Sequence, residues 1–498
     1  MKIFSAAFGP HDHNTYDGVW HNQRERYTRR KHNIPWHFDA YPHHSTADKM
    51  NQSDDSAGRQ FYDEYWKPDE HEIFAFTTTG GGIEQIPSLE VLREDIDWHP
   101  NGLWDYKILQ DNLYYIDHHQ SHAAYAYLLS GYKESDILAI DGRGSKYNCI
   151  FIDKDDNITD LSNEMNLGIM WNWFAKQLGF GNLGASKVMG LAAYGQYDDA
   201  IALILEDYWN GHKLEWQSKN RDFNQFFIQD IAHTLQVVTE DRIRDYVFDL
   251  KSCDNICVAG GVAYNGYMNE MLYENWSSVY VPPAPGDEGQ SIGTYMHADY
   301  TLNKNVHKPS VYAGKEYEYV GEEKVDYTEV AQAIADGKIV GWFQGKSESG
   351  HRALGNRSIL ADPRNSAIKD IINGTIKNRE DFRPFAPSVL EDYYQEWFDT
   401  PEPSPYMSRI MKVKNDKVPG ITHLDGTARI QTVNREQNEK YYDLINEFYK
   451  ITGVPMVLNT SFNCQEPIVE TPEEAINTFN KTDMDLLVIN DYILRKMG

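Results

Sequence analysis

Two stretches of the same design constrain this chain most. Residues 136–145, DILAIDGRGS, run as a buried apolar strand into a glycine turn, and residues 255–266, NICVAGGVAYNG, run as a strand into a Gly-Gly turn and the start of a helix. Units of this kind belong to an α/β sheet whose ligands gather at the carboxyl ends of its strands. At 498 residues the chain exceeds one ordinary domain. The polar, aperiodic stretch 310–329, SVYAGKEYEYVGEEKVDYTE, is the natural connector, so domains are expected at 1–310 and 325–498. Beyond it, VAQAIADGKIVGWFQG reads as helix, glycine turn and strand, the opening of a second α/β unit. The sequence shows no internal repeat and no low-complexity segment.

Charge narrows the function classes. The net charge is -28, and the first 320 residues carry 47 acidic against 26 basic side chains, net -21, leaving 28 against 21, net -7, for the rest. So acidic a front half argues against a broad duplex-DNA footprint, which needs clustered Lys and Arg. No stretch approaches the roughly 20 apolar residues of a membrane span, and MKIFSAAFG is too short for a signal-peptide core and reads as a first strand. The cysteines, Cys149, Cys253, Cys257 and Cys464, lack CxxC spacing, which points to reduced thiols and a cytoplasmic protein without a membrane partner.

His118 and His122, at i and i+4 in HHQSHAAYAY, face one side of a helix and can share a divalent cation or be plain helix-end histidines. Asp287, in PPAPGDEGQSIG, is a candidate carboxylate partner or an ordinary helix cap. The DGRGS and AGGVAYNG turns place backbone N–H groups where a phosphate can approach, or simply close turns. The densest signal is GKSESGHRALGNRSILADPRN with IKNREDFRPFAPSVL, where eight basic residues fall between Lys346 and Arg383. Arg352, Arg357 and Arg383 sit beside Gly or Pro, or one residue from them, which suits guanidinium forks aimed at an anion better than a solvated charged face. HLDGTARIQTV and LNTSFNCQEPIVETPEEA add His423, Arg429, Asn459, Ser461 and Asn463, short polar groups suited to a small planar ligand or to turn closure. No GxSxG, complete P-loop, HExxH or Cys/His nucleophile pattern is present.

Taken in order, HHQSHAAYAY, KVMGLAAYG, AGGVAYN, PAPGDEGQSIG, RALGNRSILADPR, FRPFAPSVL, HLDGTARIQTV and LNTSFN resemble the O-carbamoyltransferases that decorate nodulation signals and antibiotics. GPHD and ERYTRRKH extend the resemblance toward the amino terminus. It implies an amino-terminal ASKHA-like domain of the actin/Hsp70 type, similar to threonylcarbamoyl transferases, and a carboxy-terminal α/β domain similar to threonylcarbamoyl-adenylate synthases. The implied reaction takes carbamoyl phosphate and ATP to carbamoyl-adenylate in the second domain, then passes the carbamoyl group to a hydroxyl in the first. A divalent metal, Fe2+ in the family, would be held by His118, His122 and Asp287, with Mg2+ allowed beside it. Nucleotide contacts would come from Asp141, Gly142, Lys187, Gly260, Gly261 and Asn265. Carbamoyl phosphate would meet Lys346, Arg352, Lys377, Arg379, Arg383, Asn459, Ser461 and Asn463, with Arg352 also catalytic and His11 or Asp12 deprotonating the acceptor. His119 is implied to be structural or a pocket wall.

Three departures bear on the acceptor. The family's GPRALG stands here as GHRALG, replacing a rigid proline with His351, and HDHNTYDG sets His13 and Asn14 where the family start differs. Residues 35–100 align with nothing in the family. The expected acceptor is a small-molecule or sugar alcohol; a hydroxymethylated pyrimidine in a nucleotide or in DNA is the alternative, disfavoured by charge. An inactive nucleotide-binding scaffold is the reading of another class. A homodimer is left open.

Overall fold

The computed structural model describes residues 1–8, 13–23, 71–78, 102–110, 113–142, 144, 147–181, 184–210 and 225–496. His11, Asp12 and most of 35–100 lie outside them. The first sheet comprises β1 (Ile3–Phe8), β2 (His13–Tyr16), β3 (His21–Gln23), β4 (Ile73–Thr78), β5 (Lys107–Gln110) and β6 (Leu113–Tyr115), in the order β3-β2-β1-β4-β6-β5. Its β1-β2-β3 run is an antiparallel meander, and β4 and β6 then add in parallel on the other side of β1. The second sheet comprises β7 (Asp136–Ile140), β8 (Cys149–Ile152), β9 (Ile158–Asp160), β10 (Asn255–Ala259) and β11 (Ser278–Tyr280), in the order β9-β8-β7-β10-β11. Here too a meander, β7-β8-β9, is followed by two parallel additions, β10 and β11.

The fold is thus duplicated where the sequence shows no repeat. Strand pairing asks only for apolar residues at the right period, so two copies need share no letters. This doubled sheet is the arrangement that the ASKHA-like expectation calls for.

Two helices lie between the sheets. Helix α1 (His118–Ser130) packs on β7 and β10, while α2 (Gln290–Asn303) packs on β1 and β4 and against α1. Asp117 caps α1, its carboxylate accepting the N–H groups of His119 and Gln120, and Gly131, at φ 75°, ends it. Alanines 123, 124 and 126 are completely buried, and Tyr125 and Leu128 are buried with them, so α1 is buried on all faces of its first turns and sits inside the domain rather than on it. Gly293 shows how close the two helices come: a Cβ there would stand 2.2 Å from the Ser121 carbonyl oxygen.

The carboxy-terminal part is a mixed sheet of β12 (Glu323–Lys324), β13 (Val340–Phe343), β14 (Arg357–Ala361), β15 (Ala386–Leu390), β19 (Gln431–Val433), β20 (Met456–Ser461), β21 (Leu486–Ile489) and β22 (Tyr492–Arg495). Their order is β12-β22-β21-β13-β14-β20-β15-β19, and a small antiparallel sheet of β16 (Phe398–Asp399), β17 (Ile410–Val413) and β18 (Thr427–Arg429) sits beside it. Helices α3 (Tyr327–Ala335) and α4 (Glu439–Thr452) pack together and share its core with Trp342, Ile359 and Val457.

Hydrogen bonds and ion pairs cross the seam between the two parts. Lys187 meets Glu380 at 2.7 Å, Tyr267 donates to Asp425 at 2.7 Å, Ser278 donates to Glu402 at 2.6 Å, and His21 lies 2.9 Å from the Ser349 hydroxyl. The four cysteines form no disulfide. Among the described residues no helix is long and apolar enough to cross a membrane.

Candidate active site

The amino-terminal end of α1 and the 3-10 turn Asp287–Gly289 that leads into α2 bring His118, His122 and Asp287 together, and the carboxyl end of β7 adds Asp141. One ligand atom from each lies within 4.8 Å of all the others. His118 Nε2 is 3.4 Å from Asp141 Oδ2 and 3.3 Å from Asp287 Oδ1; His122 Nε2 is 3.1 Å and 3.5 Å from the same oxygens. Backbone contacts fix this meeting. Gln290 donates to the His118 carbonyl at 3.0 Å, and the Ser121 hydroxyl donates to the Gln290 carbonyl at 3.0 Å.

Electrostatics give the cluster its character. Burial alone would depress both imidazoles, but the Asp287 and Asp141 carboxylates overcome it, pushing His118 up to about 10 and raising His122 as well. Against the same burial, His118 and His122 hold Asp141 well below the usual carboxylate range and lower Asp287. His119, between them in sequence, is depressed to about 4 by burial and the neighbouring His118 charge. Two imidazoles and two carboxylates converging on one point, almost wholly buried, form a donor set that fits a divalent transition metal.

Asp141 was read from sequence as a nucleotide contact, and its side chain belongs to this cluster. Beside it is the Gly260–Gly261 turn: Gly260 has φ 92°, and a Cβ there would lie 2.1 Å from the Ile140 carbonyl oxygen, while one on Gly261 would lie 3.0 Å from Asp141 Oδ1. Gly142 donates its N–H to Asp141. Asn265 is occupied elsewhere, capping a short helix at Met268 and bonding Gln236. Lys187 lies at the seam on Glu380.

The second part contributes a group of cations. Lys377, buried, donates to Asn463 Oδ1 at 2.7 Å, to the Asn463 carbonyl at 3.0 Å and to the Ser461 hydroxyl at 3.2 Å. Asn459 donates to the Ala353 carbonyl and the Ser388 hydroxyl. Arg379 donates to Asn373 at 2.7 Å and lies over the Phe385 ring, Arg383 pairs with Glu380 at 3.7 Å, and Lys346 covers Trp20. Arg357 is spent inside the protein, donating to the Gln344, Gly345 and Asn356 carbonyls.

Arg352 reaches across the seam. Its guanidinium carbon lies 5.0 Å from the Tyr264 ring centre, and the Tyr264 hydroxyl donates to Glu288, next in sequence to Asp287. His351 stacks on the same ring at 5.7 Å and 16° and lies 4.0 Å from Glu288. Behind Arg352 is Arg429, pushed well below the usual guanidinium value by burial and then by Arg352 itself. The Nε of each guanidinium is buried without a hydrogen-bond partner among the described residues. Like charges in a dry place repel, and a phosphate dianion would relieve both the repulsion and the missing hydrogen bonds.

Glu288, Tyr264 and the membership of Asp141 escaped the sequence reading. The AGGVAYN and GDEG motifs held the letters, but nothing in their spacing shows that a loop from the other half of the chain closes on them.

Glu348 shapes that loop. It is 1% exposed, and one carboxylate oxygen accepts the N–H groups of Leu354, Asn356 and Arg357 at 2.7, 2.8 and 3.1 Å. Glu348→Ala would strand three buried donors and is expected to destabilise the protein by about 3 kcal/mol or more, against about 1 kcal/mol for Glu348→Gln. Denaturant unfolding checks this; equal losses for the two variants would contradict it.

With this geometry in view, the comparison with known families decides the assignment. The description "Carbamoyltransferase N-terminus" matches residues 101–296, and "Carbamoyltransferase C-terminus" matches residues 331–496. The chain belongs to the carbamoyltransferase family. An uncharacterized protein of Synechocystis is 34% identical over 77% of this chain and 76% of its own length. Nodulation protein NolO of Bradyrhizobium diazoefficiens is 34% identical over 76% of this chain and 79% of its own. Nodulation protein NolNO of Sinorhizobium fredii is 35% identical over 77% of this chain and 64% of its own. As a carbamoyltransferase, the chain needs a place to hold a carbamoyl donor and a place to bring an acceptor to it. Arg352 of the second part contacts Tyr264, which in turn bonds Glu288, the neighbour in sequence of Asp287 in the histidine–aspartate cluster.

Proposed function

We propose that this carbamoyltransferase is an ATP-dependent O-carbamoyltransferase that activates carbamoyl phosphate in residues 325–498 and transfers the carbamoyl group to an alcohol in residues 1–310. The observation that carries the reading is the buried pair Arg352 and Arg429, two like-charged guanidiniums whose Nε atoms have no hydrogen-bond partner among the described residues, with Arg383 adding a third repelling charge on Arg352 and Tyr264 with Glu288 facing it from the first part of the chain.

Atom balance shapes the first step. Carbamoyl phosphate loses its phosphoryl group to water, giving carbamate and inorganic phosphate. A carbamate oxygen then attacks the α-phosphorus of ATP, the bond to the β-phosphate breaks, and carbamoyl-adenylate and pyrophosphate leave. Arg352, Arg379, Arg383, Arg429 and Lys377 neutralise the phosphate oxygens, and Asn459, Ser461 and Asn463 orient the carbamoyl amide. In the second step the acceptor oxygen attacks the carbamoyl carbon, its proton passes to a base, and AMP leaves. His11 or Asp12 is the proposed base.

His118, His122, Asp287 and Asp141 are proposed to hold a divalent metal, Fe2+ by the family resemblance, with Mg2+ accompanying ATP. When bound, that ion supplies Lewis-acid polarisation and a fixed positive charge for the activated donor. Tyr264 and Glu288 keep Arg352 against this site. The acceptor is proposed to be a small-molecule alcohol, supported by the net charge of -21 over the first 320 residues, 26 basic against 47 acidic side chains.

The test mixes the protein with ATP and carbamoyl phosphate and measures pyrophosphate and phosphate, then scans candidate alcohols by mass spectrometry for one added carbamoyl group. Pyrophosphate that depends on carbamoyl phosphate is expected. Transfer directly from carbamoyl phosphate without ATP would overturn the adenylate step, and carbamoylation of an amine in place of a hydroxyl would overturn the acceptor class.

A further inference from the structure

Asn14 lies in β2, 2% exposed, and its amide faces the turn that carries Asp287. Its Nδ2 donates to the Asp287 carbonyl at 2.9 Å, and its Oδ1 accepts the Ser291 N–H at 3.0 Å. Residues 287 and 291 are four apart, the spacing at which a carbonyl and an N–H bond each other in an α-helix. One side chain from another strand therefore holds both ends of the pair that would close the first turn of α2. The turn stays in 3-10 form over Asp287–Gly289 before α2 begins.

This matters for the cluster. The point from which the Asp287 side chain leaves the backbone follows the path of the chain at residue 287, and the Asn14 amide holds that path by gripping the Asp287 carbonyl and the Ser291 N–H. The Asp287 carboxylate then meets His118 at 3.3 Å and His122 at 3.5 Å. Ser5 supplies an internal comparison. Its hydroxyl donates to the Ser291 carbonyl at 2.7 Å, so it ties the same helix end to the same sheet without touching residue 287.

We infer that Asn14 is a positioning residue that sets the Asp287 carboxylate for metal binding by bridging the opened first turn of α2. The inference rests on the metal reading of the histidine–aspartate cluster. Removing a partner that orients a ligand typically weakens metal binding about 10- to 100-fold. Asn14→Asp keeps the acceptor for Ser291 but sets an oxygen against the Asp287 carbonyl; Asn14→Ser is too short to reach both groups.

The experiment titrates Co2+ into the metal-free full chain and into Asn14→Asp, Asn14→Ser, Ser5→Ala and His118→Ala, reading the visible absorption of the bound ion and the thermal melt of each metal-free protein. The expected result is affinity at least about 10-fold weaker and an altered spectrum in both Asn14 variants, with Ser5→Ala close to the parent and metal-free melts close to one another. Parent-like affinity and spectrum in either folded Asn14 variant would overturn the inference alone, as would an equal loss in Ser5→Ala. Were one Asn14 variant to unfold, the other decides. If the parent bound Co2+ no better than His118→Ala, the metal reading and the inference would fall together.

Discussion

His118→Ala is expected to lower affinity for a divalent ion by more than about 100-fold, since even residues that only orient ligands are worth about 10- to 100-fold. Carbamoyl transfer should fall with it, and Asp287→Ala should behave alike. The parent protein offers a second signature of the same site. With no metal present, His118 is pushed up from 6.5 to about 10, because Asp287 and Asp141 outweigh its burial. A raised histidine favours the folded state fully below its unfolded value of 6.5, and that contribution is lost as pH rises through about 10. A metal ion bound at this cluster would take the place of the proton. Binding near neutral pH should therefore release protons, and apparent affinity should tighten as pH rises across that window. Calorimetry in buffers of different ionisation enthalpy measures the release. Full metal occupancy in His118→Ala, or binding without proton release, would contradict the assignment.

Lys377→Met is expected to lower carbamoyl-phosphate-dependent pyrophosphate formation by about 100-fold or more, because its buried charge and its grip on Ser461 and Asn463 together preorganise the site on the scale of one oxyanion donor. Methionine keeps the length and the buried stem but loses the charge and the donors to Ser461 and Asn463. A thermal melt separates this from collapse of the pocket. Unaltered pyrophosphate formation in the folded variant would place phosphate chemistry elsewhere.

The sequence showed those parts of the site whose geometry is local. His118 and His122 share a helix face because of their i, i+4 spacing, and the capping Asp117 lies in the same run. The strand–turn units at 136–145 and 255–266 became β7 and β10, paired side by side. What stayed hidden depends on long-range contact. Asp141 reaches the histidines because β7 ends beside α1, and Glu288 meets His351 because a loop from the second part of the chain closes over the first. Asn14 sits 273 residues from the carbonyl it holds. The duplicated sheet was hidden for a different reason, since a meander with two parallel additions is specified by apolar period and turn placement rather than by particular residues.

The claim at the centre of this account is that activation and transfer occur at two sites joined by the Arg352–Tyr264 contact. Preformed carbamoyl-adenylate, supplied with an acceptor to Lys377→Met and to His118→Ala, tests it directly. Lys377→Met should carbamoylate the acceptor from supplied adenylate although it cannot make its own, while His118→Ala should form pyrophosphate from ATP and carbamoyl phosphate yet fail to transfer. Loss of both half-reactions to the same degree in each folded variant would mean that one site carries out all the chemistry.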